Sequence, residues 1–238
     1  MRGVAAVTVL VLLSGCGGGK SDEPLTVYAA SSLTEVFQEL DPDARYNFAS
    51  SNELATQIRE GAEADVYAAA SPKYPAQLAT EGLVDEPRIF ATNRLVLIVP
   101  KSNPRHVSRV EELLPGQPKL VVGAAGVPIG DYTREVLRRI GLVKILEHVV
   151  SEEENVKGVV AKVVLGEADA GFVYVTDAVA AGDKVLTIGL PAGAQADVRY
   201  PIAVVSESDQ KDEAEAFVER VVGPDGQHAL EQAGFGRP

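Results

Sequence analysis

A two-lobed α/β protein is predicted by three observations. First, apolar strand-like runs alternate with helix-like runs from Leu25 to the C-terminus, the rhythm of parallel sheets covered by helices. Second, a block of such units is followed by another block of the same kind and then by a short return. This predicts two lobes with the chain crossing between them more than once. Third, the roughly 214 residues from Leu25 onward suffice for one large domain or two modest ones. Repeated crossings make a hinge, and ligands favour the interface between lobes.

The elements follow in order. Leu25–Ala30 reads as a strand and Ser32–Leu40 as a helix. Ala44–Ala49 is a strand, and Ser51–Glu60 a helix closed by Gly61. Ala64–Ala69 is a strand, and Pro72–Thr80 a helix closed by Gly82. Arg94–Pro100 is a long apolar strand. Ser108-Arg109-Val110-Glu111 has the S/T-x-x-E form of a capping box. Lys119–Gly123 is a strand, and Gly126–Gly130 leads into a helix from about Asp131 to Ile140. Val156, Val159, Val160, Val163 and Val164 recur at helical spacing and form one apolar face. Ala170–Val175, Lys184–Gly189 and Arg199–Val205 are strands. Helices over about Gln210–Val221 and Pro224–Gln232 end the chain. The expected division is 25–93 plus 203–238 for the first lobe and 94–202 for the second.

The chain opens with a charged Met1-Arg2, an apolar run from Val4 to Leu13, and then Leu13-Ser14-Gly15-Cys16. This reads as a secretory signal over 1–15, too short to span a bilayer. A cysteine directly after Leu-Ser-Gly resembles a bacterial lipobox, which implies cleavage before Cys16 and lipidation of its thiol. Cys16 is the only cysteine, so no internal disulfide can form. Residues 16–24 then read as a flexible Gly-rich tether. The expected location is the outer face of the bacterial cytoplasmic membrane, lipid-anchored, or the periplasm.

Charge narrows the partners. With 22 Lys and Arg against 34 Asp and Glu, the net charge is −12, which argues against nucleic acid. Salt screens that charge beyond roughly 10 Å, so local dipoles can still hold an anion in a cleft. His106, His148 and His228 lie far apart and have no cysteines beside them, a poor basis for a zinc or copper site.

Two similar stretches, Tyr28-Ala29-Ala30-Ser31-Ser32-Leu33 and Phe48-Ala49-Ser50-Ser51-Asn52-Glu53-Leu54, place paired serines where a strand hands over to a helix. Helix starts carry unpaired N–H groups and the positive end of the helix dipole, which together make an anion socket. The same residues also fit capping boxes, Ser32 with Glu35 and Ser50 with Glu53. In the first pair, capping would engage the serine that an anion would also need. Two further helix starts stand out. In Val127-Pro128-Ile129-Gly130-Asp131, proline suits the first helical position and leaves the Ile129 and Gly130 N–H groups pointing forward. In Glu154-Asn155-Val156-Lys157-Gly158, Asn155 suits the N-cap and Val156 offers a free N–H. Tyr174 ends a strand, where ligands gather in α/β sheets, though a plain core tyrosine fits as well.

These segments carry a resemblance. Val27–Leu33, Phe48–Ser51, Gly61–Val66, Val127–Tyr132, Asn155–Gly158, Gly171–Ala178 and Tyr200–Val205 together resemble the periplasmic molybdate-binding proteins of ABC transporters. The resemblance implies a type II periplasmic-binding-protein fold, closing on a tetrahedral oxyanion between two lobes. It implies that Ser32 and Ser51 bind through hydroxyl and N–H, Ile129 and Val156 through backbone N–H, and Tyr174 through its hydroxyl. It also implies delivery of molybdate or tungstate to ABC permease subunits by a monomer that carries no cofactor and is not an enzyme. Ile129 departs from the alanine of many relatives, and Glu53 from a small hydroxyl residue.

Every donor in that set is neutral, and no acceptor accompanies them. A full dianion needs only donors, whereas phosphate near pH 7 keeps a proton. The expected preference is for molybdate, tungstate or sulfate, with a binder of another oxyanion such as sulfate as the alternative. A serine hydrolase has little support, since no G-x-S-x-G occurs.

Overall fold

The computed structural model describes residues 23–238, so the expected signal sequence and the expected lipidation of Cys16 lie outside the described residues. In chain order, the first part contains β1 (Thr26–Ala30), a single 3-10 turn at Ser31–Leu33, α1 (Thr34–Leu40), β2 (Arg45–Ala49), α2 (Ser51–Arg59), β3 (Val66–Ala68), α3 (Lys73–Thr80) and β4 (Arg88–Asn93). The middle part contains β5 (Leu95–Pro100), α4 (Leu113–Gly116), β6 (Leu120–Gly123), α5 (Pro128–Arg139), β7 (Val149–Glu153), α6 (Val156–Val164), β8 (Ala170–Tyr174), α7 (Val175–Ala181) and β9 (Val185–Ile188). The chain closes with β10 (Val198–Val204), α8 (Lys211–Val222) and α9 (Pro224–Gln232).

The strands form two sheets, ordered β2-β1-β3-β10-β4 and β7-β6-β8-β5-β9. Both are mixed rather than wholly parallel. β1, β2 and β3 run parallel, while β10 is antiparallel to β3 and β4. Likewise β6, β7 and β8 run parallel, while β5 is antiparallel to β8 and β9. The strands that run against the rest are β5 and β10, the first after each crossing between the sheets. β4 and β5 are separated only by Arg94, so the chain passes directly from the first sheet into the second.

The expected boundary at 202/203 divides β10, and the pairing corrects it. β10 is in register with β4 from Val198↔Asn93 and with β3 up to Val204↔Val66. The whole strand therefore belongs to the first sheet, and the chain returns between Ile188 and Val198. β4 and β7 are strands that sequence periodicity did not mark. Both lie at sheet edges, where polar and charged residues are tolerated. The acidic Glu152 and Glu153 fall in β7, and Glu152 pairs with Arg134.

The core runs through both lobes. Val27, Ala29, Val66 and Phe37 are fully buried in the first, and Val121, Val159 and Val163 in the second. Gly171 on β8 lets α6 approach closely: a Cβ there would come within 2.8 Å of a Val159 methyl and 3.1 Å of a Val163 methyl. The valine stripe of α6 thus lies flat on the sheet, which fixes where the helix begins.

Candidate functional site

All five residues named from the sequence line one cavity. Ser32, Ser51, Ile129, Val156 and Tyr174 surround it together with Ala30, Ser31, Ala49, Ser50, Ala70, Val127, Pro128 and Asn155, and none of these side chains is charged. Sheet direction explains the convergence. Each of the five stands at or shortly after the carboxyl end of a parallel strand: β1, β2, β6, β7 or β8. In α/β sheets these ends face one way and form the ligand crevice. The two lobes meet there, and the Tyr74 hydroxyl of α3 donates to the Gly126 carbonyl of the second lobe. The cavity volume is about 20 Å³, where a single water needs roughly 10–15 Å³.

Neither serine pair forms the expected capping box. Ser50 is the N-cap of α2, yet its side chain makes no capping bond. Around the first pair, Ser31–Leu33 make a 3-10 turn, and the side-chain bond there runs from the Thr34 hydroxyl to the Ser31 carbonyl at 2.7 Å. The anticipated conflict at Ser32 does not arise. Ser51 is instead the first residue of α2 and is 1% exposed. Its Oγ accepts from the Ala70 N–H at 3.0 Å, and its carbonyl accepts from the Tyr67 hydroxyl at 2.6 Å. With Oγ already accepting, the Ser51 proton is free to point into the cavity. The third expected box is displaced by one residue: Ser108 engages Glu112 rather than Glu111, with N–H to Oε2 at 2.8 Å.

The other helix starts form as the sequence indicates. Val127 is the N-cap of α5 and Pro128 its first residue, so the helix begins earlier than Asp131. Ile129 is then the second helical residue, and its N–H has no acceptor within the helix. Gly126 makes the turn at φ +85, and its N–H donates to Asp131 Oδ1 at 2.9 Å. The bulk of Ile129 is accommodated on the sheet side. A Cβ on Gly123 would come within 2.6 Å of Ile129 Cγ2, so this branch fills the space that the glycine leaves on β6. At α6, Asn155 Oδ1 accepts from the Gly158 N–H at 3.1 Å. This cap satisfies the third helical N–H and leaves that of Val156 without an acceptor in the helix.

Tyr174 is 1% exposed, and its hydroxyl has no hydrogen-bond partner in the protein. Such a buried group is rare and asks for an explanation; here the hydroxyl belongs to a cavity-lining residue. Burial, reinforced by neighbouring Tyr200, pushes this phenol well above its ordinary pKa. It therefore keeps its proton and remains a donor.

Three residues behind the cavity were not singled out from the sequence. Tyr200 Oη lies 2.9 Å from Ser32 Oγ. Asn93 Nδ2 lies 3.0 Å from Thr176 Oγ1 and 3.4 Å from Tyr200 Oη. Asp177, fully buried at the start of α7, has no hydrogen-bond partner on either carboxylate oxygen, and Lys157 Nζ stands 3.6 Å from its Oδ1. Burial, opposed by Lys157 and aided by Glu35, raises the Asp177 pKa to about 7. Asp177 and Tyr200 lie in segments that carry the resemblance. Their roles have no local pattern, because their partners come from distant parts of the chain.

Residues 25–236 match the family described as bacterial extracellular solute-binding protein. The molybdate-binding protein of Mycobacterium tuberculosis is 35% identical over 235 residues, covering 94% of this chain and 89% of the relative. Among solved structures, the periplasmic molybdate-binding protein of Azotobacter vinelandii superposes with a TM-score of 0.80 at 24% identity, covering 90% of this chain and 99% of that one. A sulfate-binding protein of Mycobacterium tuberculosis superposes with a TM-score of 0.78 at 18% identity, covering 89% and 86%. At those identities the two structures speak for the fold alone, and the fold does not separate their ligands.

Proposed function

The chain belongs to the bacterial extracellular solute-binding proteins, and from that premise we propose that it captures molybdate, and tungstate with it, for delivery to an ABC permease. The observation that carries this is the convergence of Ser32, Ser51, Ile129, Val156 and Tyr174 on one cavity without a charged side chain. The two serines donate through hydroxyl and N–H, Ile129 and Val156 through N–H, and Tyr174 through its hydroxyl. The relative at 35% identity is named for molybdate binding, which supports this ligand.

Neutral donors are enough. Hydrogen bonds to a charged group contribute about 1.5–3 kcal/mol each. Roughly five give on the order of 10 kcal/mol before ordering costs, against about 8 kcal/mol for micromolar binding. The protein acts as a carrier rather than an enzyme, as a monomer anchored through lipid on Cys16. An intact leader or an unmodified Cys16 in the mass spectrum of the mature protein would remove the anchor from this reading.

Calorimetry with molybdate, tungstate, sulfate and phosphate tests the ligand. Molybdate and tungstate should bind tightly and phosphate negligibly. Phosphate binding as tightly as molybdate would refute the all-donor site, and sulfate binding best would transfer the role to sulfate.

A further inference from the structure

The Ser32 hydroxyl can donate to an anion or turn away and donate elsewhere. The groups that decide lie outside the cavity. Asn93, at the end of β4, is 6% exposed. The Arg94 N–H donates to its Oδ1 at 2.8 Å, which orients the amide with Nδ2 on the other side. Nδ2 can only donate, and it reaches both Thr176 Oγ1 and Tyr200 Oη. The Tyr200 oxygen therefore accepts a hydrogen bond from Asn93, and its own proton points elsewhere. Ser32 Oγ, 2.9 Å away, is the polar atom within its reach, and the direction inferred for this bond is from Tyr200 to Ser32. Once Ser32 Oγ accepts from Tyr200, the serine proton is left for the cavity.

We propose that Asn93 and Tyr200 are positioning residues that hold Ser32 as a hydrogen-bond donor to a fully ionised oxyanion. The proposal rests on reading the cavity as an oxyanion site and adds what sets its polarity. The order Asn93 to Tyr200 to Ser32 to anion aligns each donor with the next, and aligned hydrogen bonds polarise one another. It also gives the site a reason to reject a protonated anion. A Ser32 held as donor gains nothing from an anion's O–H, whereas a Ser32 hydroxyl that is not held can rotate to accept from one. Tyr200 is fully buried, and its ring packs edge-on to Phe90, Tyr174 and Phe235. Removing the hydroxyl alone therefore leaves the packing in place.

A double-mutant cycle on the full chain tests the relay, with molybdate titrated calorimetrically into wild type, Tyr200→Phe, Ser32→Ala and the double variant. Tyr200→Phe should weaken molybdate by about tenfold in wild type and by less than about twofold when Ser32 is already alanine. The ratio of molybdate to phosphate affinity should fall in Tyr200→Phe. Equal losses in both backgrounds, or no loss at all, would overturn the relay. If Tyr200→Phe does not fold, the same cycle with Asn93→Asp applies, since that change turns the donor into an acceptor at constant shape. Its loss should also vanish without Ser32, whereas simple charge repulsion would persist. A wild-type protein that binds no molybdate would instead bring down the oxyanion reading itself, a result distinct from additivity in the cycle.

Discussion

Lys157 Nζ, on the second lobe, lies 2.7 Å from Glu35 Oε1 and 2.8 Å from Glu35 Oε2 on the first. Lys157 follows the cavity residue Val156, and Glu35 lies in the first turn of α1, three residues after Ser32. The pair therefore spans the cleft beside the proposed anion. It is partly exposed, with side-chain exposures of 31% and 55%, and such pairs contribute roughly 0.2–1 kcal/mol. Lys157→Met should accordingly weaken molybdate by up to about fivefold in low salt, and the difference should shrink as salt screens the pair. Titrations at two ionic strengths check this; a salt-independent loss would mean that Lys157 acts by something other than this ion pair.

Lys157 also faces Asp177, whose carboxyl titrates near 7 in the fold and near 3.8 when unfolded. The groups around it are Lys157, Glu35, Tyr174 and Tyr200. Between those two values the folded protein holds a proton that the unfolded chain has released. Stability therefore falls as pH rises from about 4 to about 7, and levels off above. Asp177→Asn removes this penalty. Its melting temperature should exceed that of wild type more at pH 8 than at pH 5, and an equal difference at both would show that Asp177 ionises freely.

Tyr174→Phe separates a ligand group from a core group. The Tyr174 hydroxyl has no protein partner, so removing it breaks no hydrogen bond in the free protein. The melting temperature of the free variant should hold or rise. Molybdate affinity should fall by roughly tenfold to a hundredfold, as for loss of a bond to a charged acceptor at about 1.5–3 kcal/mol. A stability loss with intact affinity would make Tyr174 structural.

Ser51→Ala should weaken molybdate at least about tenfold. From sequence alone, Ser51 could be replaced with little effect on melting. The bond from the Ala70 N–H to Ser51 Oγ changes that expectation. Losing an acceptor for a buried donor costs about 1–3 kcal/mol, and each kcal/mol moves the midpoint by about 2–4 °C in a protein of this size. Melting curves of the free protein should show a drop of several degrees. Unchanged melting would mean that water satisfies Ala70 in the variant.

Much of the fold and site was legible because the signals are local. Pro128 at a helix start and Asn155 as an N-cap follow from a few adjacent residues, and both form where expected. The strand runs are apolar because they are buried, as Leu95–Val99 shows. Legibility failed where a local pattern had a distant competitor. Ser50 and Glu53 fit a capping box that does not form, and the actual fit of Ser108 is to Glu112. Edge strands β4 and β7 escaped because one of their sides needs no apolar partner.

The family resemblance picked out the five candidate donors, and the residues themselves determined the alternating α/β order and the chemistry of the helix starts. These depend on backbone geometry over three or four residues, which the sequence states directly. Tertiary structure alone decided that the five candidates share one cavity, that neither serine spends itself on a cap, and which groups each hydroxyl meets. Ser32 and Tyr200 are 168 residues apart, and Ser51 and Ala70 are 19 apart. A hydroxyl donates or accepts according to what it meets, and those meetings exist only once parallel strands from both sheets end at the same cleft.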